Sequence, residues 1–359
     1  MKSISTVIIA EAGVNHNGDL GVAMDLIDHA AQAGADMVKF QSFKAKKIAS
    51  ASAPKAAYQA VQSAANESQL DMLKRLELSE VDHQRLINHS NLRGIRFLST
   101  PFDFDSLDLL VKKFALPCIK LGSGELTNAP LLLQVGRSNV DVILSTGMST
   151  LSEIEQALGV LGFAMMDSQK APCADAFSKT LHQEDVWRKL CARVTLLHCT
   201  TDYPARDEET NLRAMDTMKQ AFGLSVGYSD HTEGNAISIA AVARGARVIE
   251  KHFTLDRSQP GPDHAASIEP NDLRELVGDI RRVEVALGTG IKQPAPSELA
   301  NRQIVRKSLV AAHDLPAGHV LTADDIGLMR PGNGPAPITF WDRIGSTLER
   351  KYKAGDVLE

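Results

Sequence analysis

The chain has 359 residues, 43% of them hydrophobic and 23% charged, with a formal net charge of -5 at pH 7. That length exceeds the usual single domain, so one large domain plus a small one is expected, with core enough to need no disulfide staples. The charge balance argues against nucleic acid or an anionic membrane as partner, and any anionic substrate has to be held by local cations.

The four cysteines, Cys118, Cys173, Cys191 and Cys199, show no zinc-type CxxC pairing. Cys118 and Cys199 lie in apolar runs and read as buried free thiols. The opening MKSISTVIIAEAG has too short an apolar run for a signal peptide. No stretch approaches the roughly 20 apolar residues of a membrane span, so the cytoplasm is the expected location.

Eight short β-rich apolar runs follow in order: 6–13, 35–43, 95–102, 117–125, 140–147, 194–201, 224–232 and 246–254. Between them lie helix-like stretches such as AMDLIDHAAQAG and LSEIEQALGVLG, with apolar residues at three- and four-residue steps and Gly near the end. Strands alternating with helices imply parallel pairing, because a parallel crossover needs a long connection. Eight such units match the size of an α/β (β/α)8 barrel, the TIM barrel. An open doubly wound sheet fits less well, since no GxGxxG loop follows the first run.

The stretch 164–192 is long for a connection and predicts an extra helix. Polar, Pro- and Gly-containing residues from 288 to 304 read as a linker. The tail, 305–359, has short β-like pieces and glycine and proline turns, which suggests a small compact domain after a barrel of residues 1–287.

Nearly every run begins apolar and ends polar. The endings are Glu11 with Asn15 and His16; Lys39 with Gln41; Ser99 and Thr100; Lys120 with Ser123 and Glu125; Ser145 and Thr146; Tyr203; Ser229 with Asp230 and His231; and Glu250 with Lys251 and His252. Polar groups inside buried strands are costly, whereas catalytic groups of a barrel gather at the C-terminal ends of its strands. His231 and His252 end neighbouring strands, and two imidazoles there can bind one divalent cation. The alternative is one core histidine and one at the surface. Lys39 and Lys120 suit phosphate or carboxylate binding, with Schiff-base chemistry as the alternative. Glu125 is the carboxylate best placed for acid/base work and Glu11 the second, unless they only offset nearby lysines. NHNG (15–18) reads as a turn that starts the first helix, and RPGNG (330–334) as a tight turn presenting Arg330.

The blocks AEAGVNHNGD, VKFQSFKA, APKAAYQ, FLSTPFD, KLGSGE, LSTGM, LLHCTTDYP, GYSDHT, EKHFT with GPDH, and RPGNG together resemble the series found in bacterial sialic acid synthases. The tail resembles their antifreeze-like SAF domain, of β-clip type, and the likeness runs from Ile8 to Leu358. The resemblance implies condensation of phosphoenolpyruvate with N-acetylmannosamine and water, giving N-acetylneuraminate and phosphate. Legionaminic acid synthases, which take 2,4-diacetamido-2,4,6-trideoxymannose, carry very similar blocks. The resemblance further implies that His231 and His252 hold Mn2+, with Mg2+ or Co2+ as substitutes. Lys39, Lys120, Ser123, Ser145 and Ser229 would receive phosphoenolpyruvate. Gln41, Tyr203, Glu250 and Asp263 would approach the sugar, and Thr100 and Thr201 complete the substrate-binding set. Some relatives carry Asn at the position of Thr201. Glu11 and Glu125 would be the acid/base pair, and Arg330 would reach the N-acetyl region across a domain-swapped homodimer. Two readings of other classes are a Schiff-base aldolase and a non-catalytic carbohydrate-binding protein on a dead barrel.

Overall fold

The computed structural model describes residues 5–48, 68–166 and 170–359; the APKAAYQ block lies outside them. The chain divides into two compact units, Met1–Gly288 and Thr289–Glu359.

In the first unit all eight runs form strands: β1 Val7–Gly13, β2 Met37–Ser42, β3 Arg96–Pro101, β4 Cys118–Leu121, β5 Asp141–Ser145, β6 Val194–His198, β7 Ser225–Asp230 and β8 Val248–His252. Every ladder is parallel, in the order β3-β2-β1-β8-β7-β6-β5-β4. The β8–β1 ladder rolls the sheet up, and its two end strands, β3 and β4, pack side by side. This is an eight-stranded TIM-like barrel, with helices on its outer face.

Local sequence chemistry starts those helices where the strands need covering. Before Leu151–Met165, the Thr150 hydroxyl accepts from the Glu153 amide at 3.3 Å, and the Glu153 carboxylate accepts from the Thr150 amide at 2.7 Å. That reciprocal cap satisfies two amides with no partner inside the helix. The long connection before β6 holds two helices, Ala174–Thr180 and Glu184–Arg193. Among the described residues no helix is long and apolar enough to cross a membrane.

Strand periodicity then builds the floor of the site. Ile9, Met37, Leu98, Ile143, Leu197 and Val248, with half-buried Cys118, close the lower barrel as one apolar cluster. On β7 the corresponding place is Gly227, where a Cβ would meet the Val248 carbonyl oxygen at 2.3 Å and Leu197 at 2.7 Å. Two residues further along each strand the same inward face comes round again, one layer higher. Those positions are Glu11, Lys39, Thr100, Lys120, Ser145, Cys199, Ser229 and Glu250. A barrel interior that is apolar below and polar above follows directly from the apolar-to-polar gradient of the runs.

The second unit has one antiparallel ladder, β9 Ser308–Ala311 with β10 Ile326–Met329, and isolated pairings that tie Val310 to Val357 and Leu315 to Tyr352. Leu309, Leu315, Leu321, Ile326, Leu348, Tyr352 and Leu358 form its core. Two expectations need correction. The supposed linker 288–304 contains a turn at Pro296–Glu298 and leads into a helix, Leu299–Val305. Pro296 presets the first turn and Glu298 accepts from the Ala295 amide at 2.7 Å, a start signal masked by polar composition. Cys118 is half-buried rather than buried, although its surroundings push the thiol up to about 12.

Candidate active site

A cavity of about 290 Å³ lies at the C-terminal ends of the strands. It is lined by Glu11, Lys39, Gln41, Thr100, Lys120, Ser123, Ser145, Thr201, Tyr203, Ser229, Glu250 and Asp263, together with both imidazoles, His231 and His252. These side chains come from all eight strands and the loops just beyond them, so the rim inferred from the sequence exists as one place.

Two ammonium groups and two carboxylates occupy its base. Lys39 Nζ lies 3.0 Å from Glu11 Oε2 and 3.4 Å from Glu250 Oε2, and Lys120 Nζ lies 3.2 Å from Glu250 Oε1. All four are at most 4% exposed. Lys39 also donates to Thr100 Oγ1 at 3.3 Å, and Ser229 Oγ donates to Glu250 Oε1 at 3.0 Å. Burial raises the Glu11 carboxyl, and the nearby Glu250 charge adds to it; Lys39 opposes, leaving Glu11 at about 7. Burial acts on Glu250 too, but Lys120, Lys39 and the Ser229 hydroxyl outweigh it and bring Glu250 down to about 2. For Lys39 the two carboxylates overcome burial and raise the ammonium; for Lys120 burial prevails and lowers it.

The imidazoles stand above this layer with ring centroids 5.6 Å apart, and the Tyr203 ring packs 4.2 Å from His231. Burial lowers His231 to about 4, and burial plus the neighbouring His231 holds His252 well below the usual histidine range. Both are therefore neutral near pH 7. His231 Nδ1 donates to the Thr200 carbonyl at 2.5 Å, which leaves Nε2 without a proton. That nitrogen lies 3.3 Å from Ser229 Oγ, whose single proton is already directed at Glu250. His252 Nδ1 is buried with no hydrogen-bond partner, and Asp263 Oδ2 lies 4.0 Å away. Burial pushes Asp263 up to about 6. Two neutral imidazoles of this kind fit a divalent cation, which takes nitrogen lone pairs and leaves other positions to water or substrate oxygen. Among the described residues no group of three or more His, Cys, Asp or Glu side chains is arranged around one point.

Ser123 and Asp263 line other parts of the cavity. Ser123 Oγ accepts from the Gly147 amide at 3.0 Å and contacts Cys199 Sγ at 3.2 Å. Asp263 is held from behind: Asn15 donates to Ser267 Oγ at 2.9 Å, and Ser267 donates to the Asp263 carbonyl at 2.6 Å. Asn15 is thus the useful part of NHNG, while buried His16 accepts from the Gly18 amide at 2.9 Å within its turn.

Two residues from the sequence reading stand apart. Glu125 does not line the cavity; it ends a one-turn helix after β4, Ser123–Glu125, and accepts from Asn128 Nδ2 at 2.7 Å. Arg330 is an exposed residue of the second unit. Other lining residues escaped the sequence reading: Cys199, and an apolar wall of Val14, Phe43, Met72, Leu73, Leu76 and Phe102. The wall comes from loop positions and the helix Gln69–Leu76, where an apolar residue looks like ordinary core.

A TIM-like barrel with two buried lysines at its mouth and a small β-rich second unit defines the class. The chain belongs to the NeuB family, which it matches over residues 26–292, and residues 306–359 match the SAF domain. It is 48% identical to the N,N'-diacetyllegionaminic acid synthase of Campylobacter jejuni, covering 98% of each chain. It is 42% identical to the Legionella pneumophila protein of the same name, over 99% of this chain and 94% of that one. A solved N-acetylneuraminic acid synthetase from Leptospira borgpetersenii is 33% identical, with a TM-score of 0.67, covering 83% of this chain and 90% of that one.

Proposed function

We propose that this chain is a metal-dependent synthase that condenses phosphoenolpyruvate with an N-acetylated amino sugar, 2,4-diacetamido-2,4,6-trideoxymannose, to give N,N'-diacetyllegionaminate and phosphate. N-acetylmannosamine, giving N-acetylneuraminate, is the second reading. The observation that carries the chemistry is the set of two ammonium groups, two carboxylates of divergent acidity and two neutral imidazoles around one cavity. The choice of sugar rests on identity to the two legionaminic acid synthases and on the apolar wall. Such a wall suits the methyl groups of a trideoxy, doubly acetylated sugar better than hydroxyl groups, which would lose hydrogen bonds to water there.

Lys39, Lys120, Ser123, Ser145 and Ser229 receive the phosphate and carboxylate of phosphoenolpyruvate, with the Gly147 amide holding Ser123 in place. The anionic groups of phosphoenolpyruvate join Glu11 and Glu250 as partners of the two lysines. Gln41, Tyr203, Thr201 and Asp263 orient the open-chain sugar so that its aldehyde carbon faces carbon 3 of phosphoenolpyruvate. His231 and His252 hold a divalent ion, Mn2+ foremost, which supplies Lewis-acid polarisation of the aldehyde oxygen. Attack forms the new C–C bond and leaves positive charge at carbon 2, stabilised by Glu250, which stays ionised. Glu11, with its acidity near neutrality, takes the proton of the water that adds to carbon 2. The tetrahedral carbon then expels phosphate, held by the lysines; its hydroxyl proton leaves with the phosphate, and the proton taken by Glu11 ends on the former aldehyde oxygen. Arg330 of a second copy in a domain-swapped homodimer completes the sugar site.

The test is phosphate release by the full-length protein with each sugar. Turnover with the diacetamido sugar at least about tenfold above that with N-acetylmannosamine is expected, as hydrophobic pockets discriminate by about 10–200-fold per methyl-sized group. Turnover of N-acetylmannosamine alone would exclude the legionaminate reading. Inhibition by EDTA with rescue by Mn2+ is expected; borohydride trapping of Lys39 or Lys120 would instead support a Schiff-base aldolase.

A further inference from the structure

Each imidazole of the site is preceded by a residue that faces the other way. Asp230 precedes His231, Lys251 precedes His252, and the β7–β8 register sets Asp230 directly beside Lys251. Successive side chains of a strand alternate between faces. Ser229, His231, Glu250 and His252 line the cavity, so Asp230 and Lys251 point outward, beneath the helix Ala236–Ala243, and neither lines the cavity.

In that layer Lys251 Nζ donates to Asp230 Oδ2 at 2.9 Å and to the Thr232 carbonyl at 2.9 Å. Ser238 Oγ donates to Asp230 Oδ2 at 2.5 Å, while the Thr232 amide and hydroxyl donate to Oδ1 at 2.9 and 2.7 Å. Both side chains are sealed, at 2% and 0% exposure. Val242, on the same helix as Ser238, is part of the main apolar core.

Stability alone does not explain a charge pair there, because the cost of stripping water from both ions offsets their attraction, and apolar residues of similar volume usually serve as well. Apolar residues cannot, however, fix direction. Lys251 grips the residue before His231 and the carbonyl of the residue after it, while its own chain continues into His252. The backbone segments carrying the two imidazoles are thereby tied across the ladder on both sides of His231.

We propose that Asp230 and Lys251 are a positioning pair that holds His231 and His252 at the spacing one divalent cation requires. This rests on the metal reading of the site given above. Residues that orient metal-binding histidines from behind typically contribute about 10–100-fold in metal affinity.

The experiment uses the full-length D230N/K251M protein, with three readouts: Mn2+ affinity from the EPR signal of the unbound ion, phosphoenolpyruvate affinity in EDTA, and thermal unfolding without metal. Expected are wild-type-like unfolding and phosphoenolpyruvate affinity, with Mn2+ binding weakened by about 10–100-fold. Unchanged Mn2+ affinity in a folded double variant overturns the proposal. If that variant does not fold, Ser238→Ala carries the test, since it keeps both charges and removes one donor to Asp230; Mn2+ binding should weaken severalfold, and an unchanged value is again fatal. His252→Ala separates the two ideas. Loss of Mn2+ binding in that variant but in neither of the others overturns the positioning role alone, whereas unaltered binding in His252→Ala removes the metal reading, and this proposal with it.

Discussion

Glu11 and Glu250 share the Lys39 ammonium, at 3.0 and 3.4 Å, and Glu250 alone also meets Lys120, at 3.2 Å. That asymmetry drives their acidities apart, to about 7 and about 2, and marks Glu11 as the group able to exchange a proton near neutral pH. The rate should rise through about pH 7, and Glu11→Gln should lose that limb and about 10²–10⁴-fold in kcat/KM. A pH profile of kcat/KM for both proteins checks this.

The same carboxyl should leave a mark on stability. Its folded-state value lies above the ordinary 4.5, so the folded protein holds the proton more tightly than the unfolded chain. Its contribution is intact below 4.5, declines as pH rises to about 7, and is constant beyond. Glu11→Gln should therefore gain stability relative to the parent between about pH 5 and about pH 8, by an amount on the order of 3 kcal/mol. Urea unfolding of the two proteins at both pH values measures the difference.

His252 Nδ1 is a buried nitrogen without a partner, so its loss costs the fold little. His252→Ala should unfold near the wild-type temperature yet lose turnover by orders of magnitude, together with its response to Mn2+ after EDTA. Near-normal turnover would remove the metal assignment.

Gly147 has no room for a side chain: a Cβ would meet Thr201 Oγ1 at 2.3 Å, Ser123 Oγ at 2.8 Å and Cys199 Sγ at 3.0 Å. Gly147→Ala should displace Thr201 as well as Ser123 and raise KM for the sugar and for phosphoenolpyruvate alike. An unchanged KM for either substrate would contradict the role given to the residue on that side.

Arg330 offers a test of the proposed dimer. Arg330→Ala should raise KM for the sugar with little effect on phosphoenolpyruvate. If the arginine acts in a second copy's site, unfolding and refolding Arg330→Ala and His252→Ala together should restore about a quarter of wild-type activity, through heterodimers with one intact site. No recovery from a mixture shown to contain heterodimers would confine Arg330 to its own chain.

Met72 belongs to the apolar wall and is 1% exposed. Met72→Gln should lower kcat/KM for the diacetamido sugar by about tenfold while leaving that for N-acetylmannosamine nearly unchanged. A matched loss for both sugars would mean that the wall does not choose between them.

Much of this was legible in the chain itself. The alternation of β-rich runs with helical stretches predicts parallel strands joined by helices, because a period of two and a period of about 3.6 cannot be satisfied by the same backbone. The polar endings at Lys39, Lys120, Ser229, Glu250, His231 and His252 name the rim, since an ionisable group in a buried strand needs polar partners or water. Only the folded structure separated Glu11 from Glu125: both follow an apolar run, but a single turn at Ser123–Glu125 takes the second carboxylate to Asn128. The apolar wall, the outward grip of Lys251 on Asp230, and the split acidities of Glu11 and Glu250 likewise depend on the distances and burial of residues far apart in the chain. Periodicity reports which face a residue occupies. Which groups meet on that face, and what charge they then carry, is decided by packing.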